Sequence, residues 1–143
     1  ILVKKGVKLA FNPSSYLIKK ENLSPLLRIC SILVLNKEEA QMLTKEKDLL
    51  LGLHNLGPEI VVITDKDKPV ICYDGKNKYS ITPHTNIKVV ERTGAGDAFA
   101  SGFVAGIIAG KNIQKSLELG LKEGESVLRY FGAKEKLLRM KIK

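Results

Sequence analysis

Ile32-Leu33-Val34-Leu35-Asn36-Lys37-Glu38-Glu39, residues 32–39, is the stretch on which the fold turns. An unbroken apolar run that passes at once into an asparagine and a charged, helix-favouring segment marks a strand buried on both faces and followed directly by a helix. A strand with one wet face would alternate apolar and polar residues instead. Asn36 suits the N-cap because its short side chain can accept a bond from an early helix N–H, so the pattern predicts a helix over Lys37–Leu43. The unit recurs downstream. A helix is predicted over Glu46–Leu56, stopped by Gly57-Pro58, and then a second apolar strand over Glu59–Thr64.

Working outward, Val7–Phe11 reads as a first strand, residues 12–15 as a turn, and Ser24 as the cap of a short helix, Leu26–Cys30, opened by Pro25. Val70–Tyr73 and Lys78–Thr82 flank Asp74-Gly75 as a β-hairpin, and Ile87–Val90 reads as a last short strand. Two helices close the chain, Ala98–Ala109 and a longer one from the cap Asn112 to a stop at Gly132. Strands that alternate with helices predict an α/β fold with a mainly parallel sheet and one hairpin.

Composition narrows the function classes. The chain has 143 residues, 44% of them hydrophobic, which suffices for one core and excludes disorder. No 18-residue apolar run is present, which excludes a membrane-spanning helix, and no secretory or lipidation pattern is found, so the expected location is cytoplasmic. The formal charge of +9 is carried by the ends: residues 1–20 contribute +5 and residues 134–143 contribute +4, so 21–133 is neutral. Only four of the 24 basic residues are arginine, which argues against a nucleic-acid reading face and for solvated ends or attraction of phosphate-bearing ligands. Cys30 and Cys72 form no Cys-x-x-Cys unit and are expected to be reduced core thiols. The chain opens Ile1-Leu2-Val3 without a methionine, as if in the last turn of a helix, and is expected to be part of a longer protein.

The stretch that carries chemistry is Thr93-Gly94-Ala95-Gly96-Asp97. Gly94 and Gly96 let successive N–H groups converge on an anion, and the helix that follows turns its positive end to the same point. Asp97 is at odds with such a site unless it accepts a proton from a hydroxyl attacking the bound phosphate. The plainer alternative makes Asp97 the N-cap of the helix. A dinucleotide fingerprint from Gly94 fails at Phe99, and a P-loop over residues 105–112 fails at Ala105 and Asn112. His54 and His84 stand apart from any metal-ligand cluster.

Residues 93–103, Thr-Gly-Ala-Gly-Asp-Ala-Phe-Ala-Ser-Gly-Phe, closely resemble the C-terminal motif of ribokinase-like sugar kinases, the PfkB carbohydrate kinase family. Asn36-Lys37-Glu38-Glu39 is similar to that family's Asn-x-x-Glu motif, and Val61–Thr64 followed by a hairpin resembles its nucleotide-contacting strand and loop. The order holds from about Asn12 to Leu138 and corresponds to the C-terminal half of a family member. The resemblance implies a ribokinase-like three-layer α/β sandwich, of which residues 1–143 are the nucleotide-binding portion and the N-terminal half is the missing partner. It implies ATP-dependent phosphorylation of a sugar or nucleoside hydroxyl. Asp97 would be the catalytic base and Gly94, Ala95 and Gly96 the anion hole. Asn36 and Glu39 would organise Mg2+ and the phosphates through water, with Thr64, Thr93 and Gly132 near the nucleotide. A monovalent cation, K+, would sit near Glu91 and Thr93, although Glu91 replaces the family's usual aspartate.

The loop also departs from the family: Thr64-Asp65-Lys66-Asp67-Lys68-Pro69 stands in place of Thr-Leu-Gly-x-x-Gly. In the last long helix Lys122 and Glu123 replace residues that are usually small or polar. Two other functions stay open at this stage, a non-catalytic nucleotide-binding fragment or diverged subunit and a basic nucleic-acid module. A first strand without its neighbour would leave an exposed edge that favours a homo-oligomer.

Overall fold

The structure, a computed structural model, describes residues 6–129 and 137. The chain divides into two compact units, with the boundary between Tyr79 and Ser80.

The first unit is built on strands β1 (Ala10–Phe11), β2 (Ile32–Asn36), β3 (Ile60–Asp65) and β4 (Lys68–Tyr73), and β5 (Lys78–Ile81) runs across the boundary. The sheet order is β1-β2-β3-β4-β5. β1, β2 and β3 are parallel, and β3 and β4 are antiparallel, so the sheet is mixed. Ile32, Leu33, Val34 and Leu35 are all buried, as the unbroken apolar run requires of a strand covered on both faces. Leu33, Leu35, Val61 and Ile63 share a core with Leu27, Ala40, Leu50 and Leu53 from the connecting helices.

Those helices are α1 (Ser15–Lys20), α2 (Ser24–Leu27), α3 (Lys37–Leu43) and α4 (Leu49–His54). α3 has the predicted bounds. α1 was not anticipated: Ser14, read as part of a turn, caps it by accepting the Leu17 N–H at 3.3 Å. α2 starts two residues before the expected Leu26 and ends at Leu27 in place of Cys30. Its cap position is Leu23, whose backbone is already helical, while the Asn22 side chain accepts the Ser24 N–H at 3.1 Å. α4 is shorter than Glu46–Leu56, because Asp48 accepts the Leu51 N–H and sets the start there. The first strand shrinks from Val7–Phe11 to two residues, although the Leu9 carbonyl still accepts the N–H groups of Ser31 and Ile32.

The second unit holds α5 (Ala95–Ile108) and α6 (Ile113–Leu128), each four to five turns long. The end of α5 and the start of α6 follow the sequence. Gly110 takes φ +72°, and Lys111 and Gly110 return their N–H groups to the carbonyls of Gly106 and Ile107, closing α5. Asn112 caps α6 by accepting the Lys115 N–H at 2.9 Å. The expected stop at Gly132 lies outside the described residues. The strand predicted over Ile87–Val90 is not formed. Val90 instead donates its N–H to the Leu128 carbonyl at 2.8 Å, so a helix end has taken the bond a ladder would have used.

α5 and α6 approach through small residues. A methyl group on Gly106 would lie 2.7 Å from Ser116 Oγ and 2.9 Å from Ser116 Cα, and Ser116 is fully buried. Replacing Gly106 by alanine is therefore expected to destabilise the protein, since overpacking costs about 1–3 kcal/mol and outweighs the helix-propensity gain. A lowered urea midpoint at unchanged m-value checks this.

Cys30 and Cys72 are free and buried, and burial pushes their thiols up to about 11 and about 12. Both are neutral in the folded chain, whereas unfolded thiols titrate near 9.0. Stability that is complete below that pH should fall as pH rises through the interval, because the unfolded state ionises first. Loss of thermal stability between about pH 9 and 11, relieved in a Cys72→Ala variant, is the expected readout.

Candidate functional site

The parallel pairing of β2 with β3 ends on Asn36 opposite Thr64, so both residues lie at the carboxyl edge of the sheet. In open α/β sheets ligands gather at that edge. The Asn36 side chain accepts the Glu39 N–H at 2.9 Å, and Glu39 Oε2 accepts the Asn36 N–H at 3.0 Å, a reciprocal capping box. Glu39 Oε1 accepts the Ser15 hydroxyl at 3.1 Å. Glu39 is buried, with 8% of its surface exposed. Ser15 was not singled out from sequence, and nothing local in its surroundings would have pointed to it.

Thr64 is half-buried, and its hydroxyl lies 3.5 Å from the Leu35 carbonyl. The turn beyond it is charged. Lys37 pairs with Asp65 at 3.2 Å and Lys66 with Glu38 at 3.4 Å, which ties the β3–β4 turn to the first turn of α3. Lys66 adopts φ +49°, the left-handed conformation a glycine would take without cost. The expected departure from the glycine-rich loop is thus realised as a tight hairpin turn.

In the second unit Gly94 has φ +82° and ψ −5° and is the N-cap of α5. That corrects the alternative that made Asp97 the cap: the helix begins at Ala95, and Asp97 lies in its first turn. A carboxylate there is favoured by the helix dipole. The Ala98 N–H makes the first full turn back to the Gly94 carbonyl at 2.9 Å, and the Ala95 N–H donates to the Arg92 carbonyl at 3.3 Å. Thr93, Gly96 and Asp97 are exposed, and Gly94 and Ala95 are half-buried. A Cβ built on Gly96 meets nothing within 4 Å, so the absence of a side chain serves no internal packing there. Glu91 is half-buried, and its N–H lies 3.5 Å from the Leu128 carbonyl. The structure therefore gathers Asn36, Glu39 and Thr64 in one unit and Thr93–Asp97 in the other, while Gly132 lies outside the described residues.

Residues 3–139 match the model of the pfkB family carbohydrate kinases. This chain belongs to that family. It is 35% identical over 135 residues to a cytidine kinase of Thermococcus kodakarensis, covering 90% of this chain and 49% of that one. It is 30% identical over 128 residues to the ribokinase of Haemophilus influenzae, covering 84% and 40%. Among solved structures, a ribokinase II of E. coli in complex with ATP and magnesium superimposes with a TM-score of 0.86 at 18% identity, over 96% of this chain and 47% of that one. The fold is therefore ribokinase-like, and the chain spans about half the length of the relatives it matches.

The residues present can be tested against the nucleotide and magnesium that the family implies. The open space at Gly96, beside the first amides of α5, fits a phosphate group. Among the described residues no three His, Cys, Asp or Glu side chains cluster to hold a metal directly. Asn36 and both oxygens of Glu39 already accept protein hydrogen bonds, so they fit a hydrated magnesium ion carried on phosphates, reached through water and their remaining lone pairs.

A Gly96→Val variant should fold, because the added atoms enter open space, yet it should lose nucleotide affinity by about tenfold or more through obstruction of the cradle. Calorimetric titration with ATP–Mg2+ beside a thermal melt separates the two effects. Unchanged affinity in a folded variant would count against the cradle.

Proposed function

We propose that this chain supplies the C-terminal, nucleotide-binding and catalytic-base part of an ATP-dependent kinase acting on a sugar or nucleoside. The observation that carries the reading is the exposed Asp97 carboxylate in the first turn of a helix whose cap, Gly94, is left-handed and whose Gly96 faces open space.

The chemistry follows from those positions. The backbone of Gly94, Ala95 and Gly96, with the helix dipole behind it, would hold the oxygens of the transferred phosphoryl group as charge redistributes over them. Asp97 would take the proton of the acceptor hydroxyl. The new bond forms between that oxygen and the γ-phosphorus, the bond from the γ-phosphorus to the β–γ bridging oxygen breaks, and ADP leaves with that electron pair. Asn36, Glu39 and Thr64 would face the nucleotide at the sheet edge, with Thr93 beside the cradle. Magnesium, when bound, supplies charge neutralisation on the phosphates. Glu91 and Thr93 are the residues we assign to a monovalent cation such as K+. A cytoplasmic location accords with two free, buried thiols and with the absence, among the described residues, of a helix long and apolar enough to cross a membrane.

The acceptor is sought among the substrates in the relatives' names: cytidine, adenosine, ribose, fructose 6-phosphate and 2-dehydro-3-deoxygluconate. In the complete protein, Asp97→Asn is expected to lower kcat by ~10²–10⁴-fold, the usual contribution of a general base, while ATP affinity stays within a few-fold. An Asn variant that keeps half the wild-type kcat removes Asp97 from the mechanism. A wild-type protein that binds ATP but phosphorylates none of the panel favours the non-catalytic fragment or diverged subunit. Salt-sensitive nucleic-acid binding that survives Asp97→Asn favours the basic module.

A further inference from the structure

The segment from His84 to Glu91 has no regular secondary structure, yet it leads directly into the cradle, and α6 grips it at both ends. At the near end the Glu125 carboxylate accepts three contacts from one residue. Oε1 takes the His84 backbone N–H at 2.9 Å and the ring Nδ1–H at 3.0 Å, and Oε2 lies 2.9 Å from the same Nδ1. At the far end the Leu128 carbonyl accepts the Val90 N–H at 2.8 Å. The same stretch of α6 touches the cradle itself: a Cβ on Gly124 would lie 3.1 Å from the carbonyl of Ala95, the first residue of α5.

Glu125 is an unusual choice for a surface tether. Its side chain is only 11% exposed, whereas that of His84 is 68% exposed. A carboxylate drawn that far from water must be compensated by strong hydrogen bonds, and the two His84 donors supply them. Exposed ion pairs hold chains loosely, but a buried acceptor with converging donors fixes one geometry.

We infer that Glu125 is a positioning residue for phosphoryl transfer: by gripping His84 it fixes the strap 84–91, and through the strap it sets Gly94–Gly96 against the reacting phosphate. This rests on the kinase reading given above. A cradle displaced by about 1 Å can cost ~10²-fold in rate without abolishing binding. The signature of lost positioning is therefore a fall in kcat rather than a rise in the KM for ATP.

The experiment uses the complete protein and three variants, Glu125→Ala, Glu125→Gln and His84→Ala, with ATP–Mg2+ and the acceptor found for the wild type. Glu125→Ala is expected to lower kcat about tenfold or more with the KM for ATP changed less than about threefold, and Glu125→Gln, whose amide oxygen still accepts, should lose less. His84→Ala keeps the backbone bond and should fall between wild type and Glu125→Ala. Hydrogen exchange reports the tether independently of turnover: the amides of Val90 and Glu91 should exchange about tenfold faster in Glu125→Ala. If Glu125→Ala does not fold, His84→Ala, a change at an exposed side chain, carries the same two readouts. Folded variants with kcat within twofold of wild type overturn the inference, as does a loss of kcat with unchanged exchange at Val90 and Glu91. Asp97→Asn is run alongside. Wild-type turnover in that variant defeats the catalytic-base reading and leaves the exchange result to decide whether Glu125 holds the strap.

Discussion

The parallel ladder between β2 and β3, buried on both faces, is the constraint from which the first unit follows. Parallel strands must both be entered from the same side, so both connections return across the sheet and both strands finish on one edge. Register then does the rest: Asn36 lies opposite Thr64, and the chain leaves one strand into α3 and the other into a tight turn. The apolar faces that stabilise the ladder have no part in chemistry. They determine where the polar residues at its end must lie.

Around that edge polar side chains are tied to one another and to the backbone. The Asn36–Glu39 capping box starts a helix and orders two residues at the carboxyl edge of the sheet, and Ser15, far away in sequence, donates to the other oxygen of the Glu39 carboxylate. The Lys37–Asp65 and Lys66–Glu38 pairs link the same helix turn to the hairpin. Exposed pairs of this kind add little stability singly. Their alternation of sign on both segments gives the turn one favourable alignment, in place of the flexibility that glycines would have brought. Lys66 in the left-handed region is the cost of a two-residue turn at a position without glycine.

The second unit is organised around the start of α5. α5 begins at a left-handed glycine, and its backbone is held close to α6 where side chains are absent. A Cβ on Gly120 would lie 2.9 Å from the Phe99 carbonyl, so the two helices meet backbone to backbone over their central turns. Close packing of this kind resists small displacement. The segment 84–91, which has no regular secondary structure, is bonded to α6 through the buried Glu125 carboxylate and the Leu128 carbonyl.

Much of this was legible in the chain itself. Residues 32–39 determined a buried strand, its cap and its helix, because hydrophobic period and capping chemistry act over a few residues. Asn112, Gly110 and Gly57 marked helix ends for the same local reason. The glycines of the motif at 93–97 marked a left-handed turn at Gly94 and an open approach at Gly96, because both favour a residue without a side chain. Only the tertiary structure decided which residue caps α5, since the choice between Gly94 and Asp97 depends on a backbone angle that many sequences would tolerate. The apolar run 87–90 carried a strand pattern, but among the described residues it forms no ladder, and the end of α6 took the Val90 N–H instead. Ser15 with Glu39 and His84 with Glu125 are separated by 24 and 41 residues. No local pattern records such pairs, because each exists only once burial has brought distant segments together and left a carboxylate in need of donors.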